Sequence, residues 1–435
     1  MAARDWPGAV AAFTALAGQR PADASAWIAL AQAQVRAGRH RDGCVATLRA
    51  QAAGVSTFAD GVPLARLLER YHEVQALATL SAALRAHAGE ASADALVALA
   101  DVLGREDLHA DALHWLDRAA ALDPAHAPAA YLRGSTRLFM GDFAGARADL
   151  ERAIALAPHF AHAHWRLTAL RTRDPAGAVA RVERLRRERD RVAAGGEHDI
   201  HFSYALFDEL HDLREHTAAW DALARANRAK RALLRYDPEA DLRLMQAIRT
   251  RCDAAFVRGP GAASEGPRPV FVAGLFRSGT TLLERLLAGH PEVAAGGETM
   301  DFPARLRLAV DHRGRGVLDA EVLGRSATVD WAALGRDYLA GSAWRAAGGR
   351  AWTEKLPSNL LLLGLVARAV PGARFVHMRR APMDVCFANL RMLYGGFGRY
   401  SYDQRELAAY HHGYAALMAH WRGVLGPRLL EVSLA

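Results

Sequence analysis

A spacing of 34 residues recurs in the amino-terminal part of the chain. Pro124 and Pro158 are 34 residues apart, and small or apolar residues stand at matching distances before each of them. These residues are Ala112, Leu116 and Ala119 before the first proline, and Ala146, Leu150 and Ala153 before the second. Small residues let two paired helices approach closely, and a proline ends the second helix. The spacing therefore predicts repeated helix–turn–helix units.

This pattern resembles tetratricopeptide repeats. The match is closest over residues 93–170, less close over 5–50 and least close over 51–92. We predict a repeat domain over residues 1–170, and the resemblance implies a protein or peptide partner on the repeat surface. The helix expected before Trp6 is missing, so we expect either a cropped start or an atypical capping turn.

After the repeats, the amino-acid pattern of the sequence changes twice. Residues 171–257 continue in longer, more charged helices, and residues 258–269 are dense in glycine and proline, which predicts a linker. The sequence predicts strands at Val270–Ala273 and Arg374–Met378, and helices at Thr280–Ala288 and Leu360–Ala369. This alternation predicts a parallel sheet covered by helices over residues 270–435. The predicted fold class is an α-solenoid followed by a P-loop-like α/β domain.

The loop Gly274–Thr281, after the first strand, has the composition of an anion site. Backbone N–H groups and the N-terminus of the following helix can surround a phosphate. In ATP- and GTP-binding loops the second glycine is followed by lysine, but here Thr280 follows Gly279. The cation is Arg277, whose planar guanidinium can hold a terminal phosphate. A nucleotide kinase is thus the least favoured interpretation.

This loop, followed by His290-Pro291 and Gly297-Glu298, resembles sulfotransferases that use 3′-phosphoadenosine 5′-phosphosulfate (PAPS). The resemblance covers residues 270–432 and implies PAPS as co-substrate, with no metal or redox cofactor. It implies that the 5′-phosphosulfate end binds to Arg277, Ser278, Gly279, Thr280 and Thr281.

Glu298 is the candidate general base. Sulfuryl transfer needs the acceptor hydroxyl or amine to lose a proton, and a carboxylate within hydrogen-bond reach accelerates such a step by about 10² to 10⁴-fold. In the protein-tyrosine sulfotransferases, which this segment resembles, a glutamate in the matching Gly-Glu-Thr setting is the base. The alternative is an exposed or helix-capping glutamate.

Lys355 is the second catalytic candidate. Its segment, residues 352–359, is similar to the family's second catalytic strand end, where a lysine can stabilise negative charge on the sulfuryl and bridging oxygens. Cytosolic members of the wider superfamily carry a histidine near this place, and this chain has none. The alternative is a surface lysine at a helix start.

Arg380 is the candidate for the 3′-phosphate of the donor, because residues 377–385 resemble the family's 3′-phosphate site. Eight residues later Ala388 stands where the family offers a serine hydroxyl. Losing one hydrogen bond to a charged group costs about 1.5 to 3 kcal/mol, or about 10- to 150-fold in affinity. We therefore expect weak donor binding.

The chain stops at residues 429–435, partway through a further strand, whereas the family fold continues. We expect a C-terminally incomplete and poorly active domain. The competing interpretation is a repeat scaffold that carries a remnant transferase domain. The sequence does not distinguish among four classes of sulfuryl acceptor, which are protein tyrosine, carbohydrate, lipid and small phenol.

Net charge, cysteine content and the length of apolar stretches limit the classes of function that fit this sequence. A net charge of +8 comes with no nucleic-acid motif, which argues against RNA or DNA as a partner. Cys44, Cys252 and Cys386 show no metal-ligand spacing, which predicts a reduced, cytoplasmic protein. The longest strongly apolar stretch, residues 360–367, is too short to span a bilayer.

Overall fold

The structure is a computed structural model that describes residues 5–171, 175–263 and 266–434. The chain divides into two compact units, residues 1–230 and 231–435.

The first unit is helical throughout its described length. Its helices are α1 Trp6–Gln19, α2 Ala24–Arg36, α3 His40–Ala53, α4 Phe58–Tyr71, α5 Val74–Leu84, α6 Ala93–Arg105, α7 His109–Leu122, α8 Ala127–Met140, α9 Phe143–Leu156, α10 Ala161–Thr168, α11 Pro175–Arg189, α12 Glu197–Asp212 and α13 His216–Leu233.

The predicted repeat is confirmed by the helix starts. One set of helices begins at residues 24, 58, 93, 127 and 161, and the other at residues 6, 40, 74, 109 and 143. Successive starts are thus 34 or 35 residues apart, also between residues 51 and 92, where the sequence match is least close. Consecutive helices pack against each other in pairs, which is the helix–turn–helix unit that the sequence predicts.

Small residues explain why the helices lie so close. The alanines and leucines at the matching positions before Pro124 and Pro158 are all at most 1% exposed. A Cβ atom at Gly134 in α8 would lie 2.9 Å from the Cγ of Leu150 in α9. The interface between α8 and α9 therefore leaves no room for a side chain at this glycine.

The second unit contains the predicted parallel sheet. Its strands are β1 Arg268–Gly274, β2 Val293–Ala294, β3 Ala351–Lys355, β4 Arg374–Arg379 and β5 Leu429–Ser433, all parallel, in the order β2-β3-β1-β4-β5. Its helices are α14 Pro238–Arg251, α15 Ala254–Val257, α16 Thr280–Leu287, α17 Asp301–Ala309, α18 Ala320–Arg325, α19 Trp331–Ser342, α20 Leu363–Ala369, α21 Pro382–Leu390 and α22 Gln404–Leu425. Most apolar residues of the central strands are buried, as expected for a sheet with both faces covered.

The structure departs from the predicted linker over residues 258–269, of which 264 and 265 lie outside the described residues. Ala262 is 3% exposed, and its N–H donates to the carbonyl of Ala369 at 2.8 Å. A Cβ atom at Gly261 would lie 2.2 Å from the carbonyl oxygen of Arg368. Arg268 and Pro269 already belong to β1. Gly261 and Ala262 thus pack against α20, so Gly261 permits close approach rather than flexibility.

Residues 171–257, predicted as a helical continuation of the repeats, are divided between the two compact units after Lys230. The physical reason is that α14 and α15 pack in the sheet unit. His420 of α22 donates from Nε2 to the carbonyl of Cys252 at 2.9 Å, and a Cβ atom at Gly413 of α22 would lie 2.8 Å from Leu242 of α14.

Candidate functional site

The three predicted site segments follow three adjacent strands. β1 is central, with β2 and β3 on one side and β4 and β5 on the other, so the chain changes direction across the sheet at β1. In open parallel sheets, ligands bind beyond the carboxyl ends of the strands at such a switch point. The loop after β1, the end of β3 and the end of β4 all lie at this edge.

The loop after β1 adopts a left-handed backbone at two positions. Arg277 has φ 66° and Gly279 has φ 101°, and α16 begins at the next residue, Thr280. Ser278 is 1% exposed, and its Oγ has no hydrogen-bond partner within residues 5–171, 175–263 and 266–434. Thr280 is buried and Thr281 is exposed. The loop thus holds a buried hydroxyl next to the start of a helix, where N–H groups are free to bind an anion.

Arg380 lies against this loop. Its Nη1 donates to the carbonyl oxygen of Arg277 at 3.1 Å. The contact follows from the strand register, because Gly274 pairs with Met378 in β4. A Cβ atom at Gly274 would lie 2.7 Å from the carbonyl oxygen of Met378, so only glycine fits here. The structure thus brings the two predicted phosphate-binding arginines together.

Asn389, which the sequence analysis did not identify, holds the loop from α21. Its Nδ2 donates to the carbonyl oxygen of Phe276 at 2.6 Å, and its Oδ1 accepts from the hydroxyl of Tyr394 at 3.0 Å. Burial raises the pKa of Tyr394 above its usual value, so this phenol stays a neutral donor. Asn389 is fully buried. No motif points to this residue, because its role depends on a contact 113 positions away.

Glu298 and Lys355, the predicted base and electrostatic stabiliser, are in direct contact. Nζ of Lys355 lies 2.5 Å from Oε1 of Glu298, and the backbone N–H of Lys355 donates to the carbonyl of Gly297 at 2.9 Å. The lysine side chain is only 7% exposed and the glutamate side chain 49%. Lys355 is therefore not a surface lysine, whereas Glu298 is open to solvent at the edge of the sheet.

A second residue that the sequence analysis missed, Glu284, connects the two parts of the site. Its Oε1 accepts from the N–H of Gly297 at 3.0 Å and from the hydroxyl of Thr353 at 2.7 Å. Glu284 lies in α16, directly after the anion loop, and is 4% exposed. A buried carboxylate thus ties the helix of the anion loop to the turn that carries Glu298. The only sequence signal is a charged residue at an inward position of a short helix.

Glu354, next to Lys355, is a further buried carboxylate. It accepts hydrogen bonds from the hydroxyls of Tyr338 and Thr299, each at 2.7 Å. Burial, and after it the charge of Asp301, raises the pKa of Glu354 to about 7. Asp301 itself is paired with Arg345 at 2.7 Å. This network fixes the end of β3 and so orients Lys355.

Comparison with known proteins shows what the sheet unit is similar to. A family model described as "Sulfotransferase family" matches residues 269–433, which include all of the predicted site residues. An uncharacterized protein of Aquifex aeolicus (strain VF5) is 25% identical over 244 residues, which are 53% of this chain and 31% of that protein. The chain thus spans about a third of the length of this curated relative.

Solved structures give weaker likenesses. One is from the functional characterization of Pseudomonas aeruginosa pilF, with TM-score 0.35 and 17% identity over 48% of this chain and 93% of that one. Another is YrrB, described as a TPR protein with an unusual peptide-binding site, with TM-score 0.31 and 17% identity over 48% of this chain and 97% of that one. Among the described residues, no helix combines the length and the apolar character needed to cross a membrane.

Proposed function

We propose that the sulfotransferase-family domain of this chain transfers a sulfuryl group from PAPS to a hydroxyl or amine acceptor. The observation that carries the proposal is the arrangement around Ser278: a buried hydroxyl without a partner in the described part of the chain, between Arg277 and the start of α16. The contact of Arg380 with the carbonyl of Arg277 supports it further.

The loop residues fit the anionic donor. An oxygen of the 5′-phosphosulfate would supply the acceptor that the Ser278 hydroxyl lacks. Arg277, Gly279, Thr280 and Thr281 would bind the same group through a guanidinium, hydroxyls and backbone N–H groups at a helix N-terminus. Arg380 would pair with the 3′-phosphate, which gives each anionic end of the donor its own cation.

Glu298 and Lys355 would carry the chemical step. The acceptor oxygen or nitrogen forms a bond to sulfur, and its proton passes to the Glu298 carboxylate. The bond between sulfur and the bridging oxygen breaks, and adenosine 3′,5′-bisphosphate leaves with that electron pair. Lys355 stabilises the charge that accumulates on the sulfuryl and bridging oxygens. An esterified sulfate is monoanionic, so these cations can suffice without magnesium.

The helical repeats would recruit the acceptor or dock the domain on a protein or peptide. Stacked helix pairs form extended surfaces of the kind that bind peptides, and helices α1 to α10 extend this stack from residue 6 to residue 168. A cytoplasmic location stays a prediction.

A second candidate function is a repeat scaffold with an impaired transferase domain. The observation that favours it is Ala388, a half-buried methyl group on α21 that offers no hydrogen bond to a phosphate. In this case the repeats would bind their partner but the sheet unit would not turn over.

Calorimetry of the full chain with adenosine 3′,5′-bisphosphate tests the proposal. We expect binding that Arg277→Ala or Arg380→Ala weakens by at least about tenfold, because each removes a charged hydrogen bond. Arg285→Ala, at an exposed position of α16, is the matched control and should bind as the unmodified chain does. Absence of binding at millimolar ligand would favour the scaffold, and tighter binding of ATP than of the bisphosphate would favour the kinase interpretation.

A further inference from the structure

The helical unit holds a cluster of possible metal ligands that has no part in the proposed transfer. His162, Glu197 and His201 each offer one ligand atom, and these atoms all lie within 4.8 Å of one another. The spacing of the three cysteines predicts no metal site. This cluster combines two helices and has no cysteine.

Two packed helices hold the three side chains. Glu197 is the first residue of α12 and His201 lies four residues later, so both project from the same face. His162 lies in the first turn of α10, which packs against α12. Ligands on helices are positioned more rigidly than ligands on loops.

A hydrogen bond determines which ring nitrogen of His201 can bind a metal. Its Nδ1 lies 2.8 Å from the backbone carbonyl of Glu197, and because a carbonyl can only accept, Nδ1 carries the proton. The lone pair is then on Nε2. Metal-binding histidines commonly donate their other N–H to a carbonyl in this way, which fixes both tautomer and ring orientation.

His162 has a nitrogen that the fold leaves unused. Its Nδ1 is buried and has no hydrogen-bond partner in the described part of the chain. Its Nε2 lies 3.9 Å from Oε1 of Glu197, and its ring centroid lies 3.8 Å from that of His201. Two imidazoles and a carboxylate therefore converge although no direct hydrogen bond joins the three side chains.

We infer that His162, Glu197 and His201 form a site for a divalent transition metal ion such as Zn²⁺. Two imidazoles and one carboxylate are a zinc donor set, whereas Ca²⁺ and Mg²⁺ prefer oxygen ligands throughout. Tetrahedral bonds of about 2.0 to 2.2 Å place donors about 3.3 Å apart. At present the ligand atoms lie within 4.8 Å of one another. The Glu197 side chain is 65% exposed, so it can rotate to bring a carboxylate oxygen closer to the two histidine nitrogens. Water can fill the fourth position.

The metal would cross-link α10 and α12, at the end of the regular repeats. Because the ligands converge only in the folded unit, binding would stabilise it by mass action. A role of this kind is independent of the sheet unit and of the donor PAPS.

The test uses the full chain, stripped with a chelator and titrated with Zn²⁺ in a calorimeter. We expect one site per chain and a thermal unfolding midpoint that rises with Zn²⁺. Glu197→Gln, at an exposed position, and His162→Ala should raise the Kd at least about tenfold and reduce the rise at a given Zn²⁺ concentration. His159→Ala, an exposed histidine close by in sequence, is the control and should leave both readouts unchanged.

Two outcomes would overturn the inference. One is that the stripped chain binds no stoichiometric Zn²⁺. The other is that Glu197→Gln and His162→Ala bind Zn²⁺ as the unmodified chain does, which would assign the metal to other histidines. Far-UV circular dichroism of each variant verifies that any loss is not unfolding.

Discussion

The ammonium nitrogen of Lys355 lies 2.5 Å from the carboxylate oxygen Oε1 of Glu298. The two residues meet because β2 pairs with β3, which brings the turn after β2 to the end of β3. One partner is buried and the other half-exposed, so the acceptor could approach the carboxylate from the solvent side while the ammonium stays within the domain. In the proposed reaction, Lys355 would release Glu298 when the donor's sulfuryl oxygens arrive.

Glu298→Gln should separate catalysis from donor binding. Glutamine keeps the size of the side chain but cannot take the acceptor proton, so the transfer rate should fall by about 10² to 10⁴-fold. The affinity for adenosine 3′,5′-bisphosphate should stay within about threefold, because no donor contact is assigned to this residue. Release of the bisphosphate in the presence of an accepted substrate measures the rate. Glu321→Gln, at an exposed position of α18, is the control, and an unchanged rate in Glu298→Gln would exclude Glu298 as the base.

Ser278→Ala should weaken ligand binding without a cost in stability. Since the buried Oγ has no hydrogen-bond partner among the described residues, its removal should leave the free energy of unfolding unchanged or raise it. Affinity for adenosine 3′,5′-bisphosphate should fall by about 10- to 150-fold, the value of one hydrogen bond to a charged group.

Ser401→Ala provides the matched control for Ser278→Ala. Ser401 is also fully buried, and its Oγ likewise has no partner in the described residues, but no ligand contact is assigned to it. Calorimetry and urea unfolding of both variants are the measurements. Equal affinities of the two variants would contradict the proposed role of Ser278.

Sequence reasoning predicted the parts of the fold and site that depend on local pattern. The 34-residue period, the strands around Val270 and Arg374 and the sheet class are confirmed, because periodicity and apolar runs are local signals. The roles of Glu298 and Lys355 stay predictions, although the structure does bring these two side chains into contact.

The residues that sequence reasoning missed act across long separations. Glu284 reaches Thr353 over 69 positions, and Asn389 reaches Phe276 over 113. No local pattern encodes such contacts, since they exist only after the sheet has assembled. The zinc ligands were missed for the same reason, because His162 and Glu197 come from different helices.

Glu354→Gln should remove a pH dependence of stability. The pKa of Glu354 is raised from 4.5 to about 7, so the folded state binds more protons than the unfolded state between these values. The free energy of unfolding should therefore decrease as pH rises from about 4.5 to 7, by on the order of 3 kcal/mol. The glutamine keeps an acceptor for Tyr338 and can donate to Thr299, so the variant should lack this decrease.

Urea unfolding at about pH 5 and about pH 7 measures the change. The difference between the unmodified chain and Glu354→Gln isolates this carboxyl from the other titrating groups. An equal pH dependence in both proteins would show that Glu354 is ionised throughout this range.

Gly261→Ala should destabilise the sheet unit, in contrast to the effect expected of a flexible linker. A Cβ atom would lie 2.2 Å from the carbonyl oxygen of Arg368, and neither backbone can move without disturbing the hydrogen bond from Ala262 to Ala369. Overpacking of this kind costs about 1 to 3 kcal/mol. Gly266→Ala, in the same segment, meets no atom within 4 Å and should change the free energy of unfolding by less than about 0.5 kcal/mol. If urea unfolding gave equal values for the two variants, the segment would be the tether that its glycine and proline content predicts.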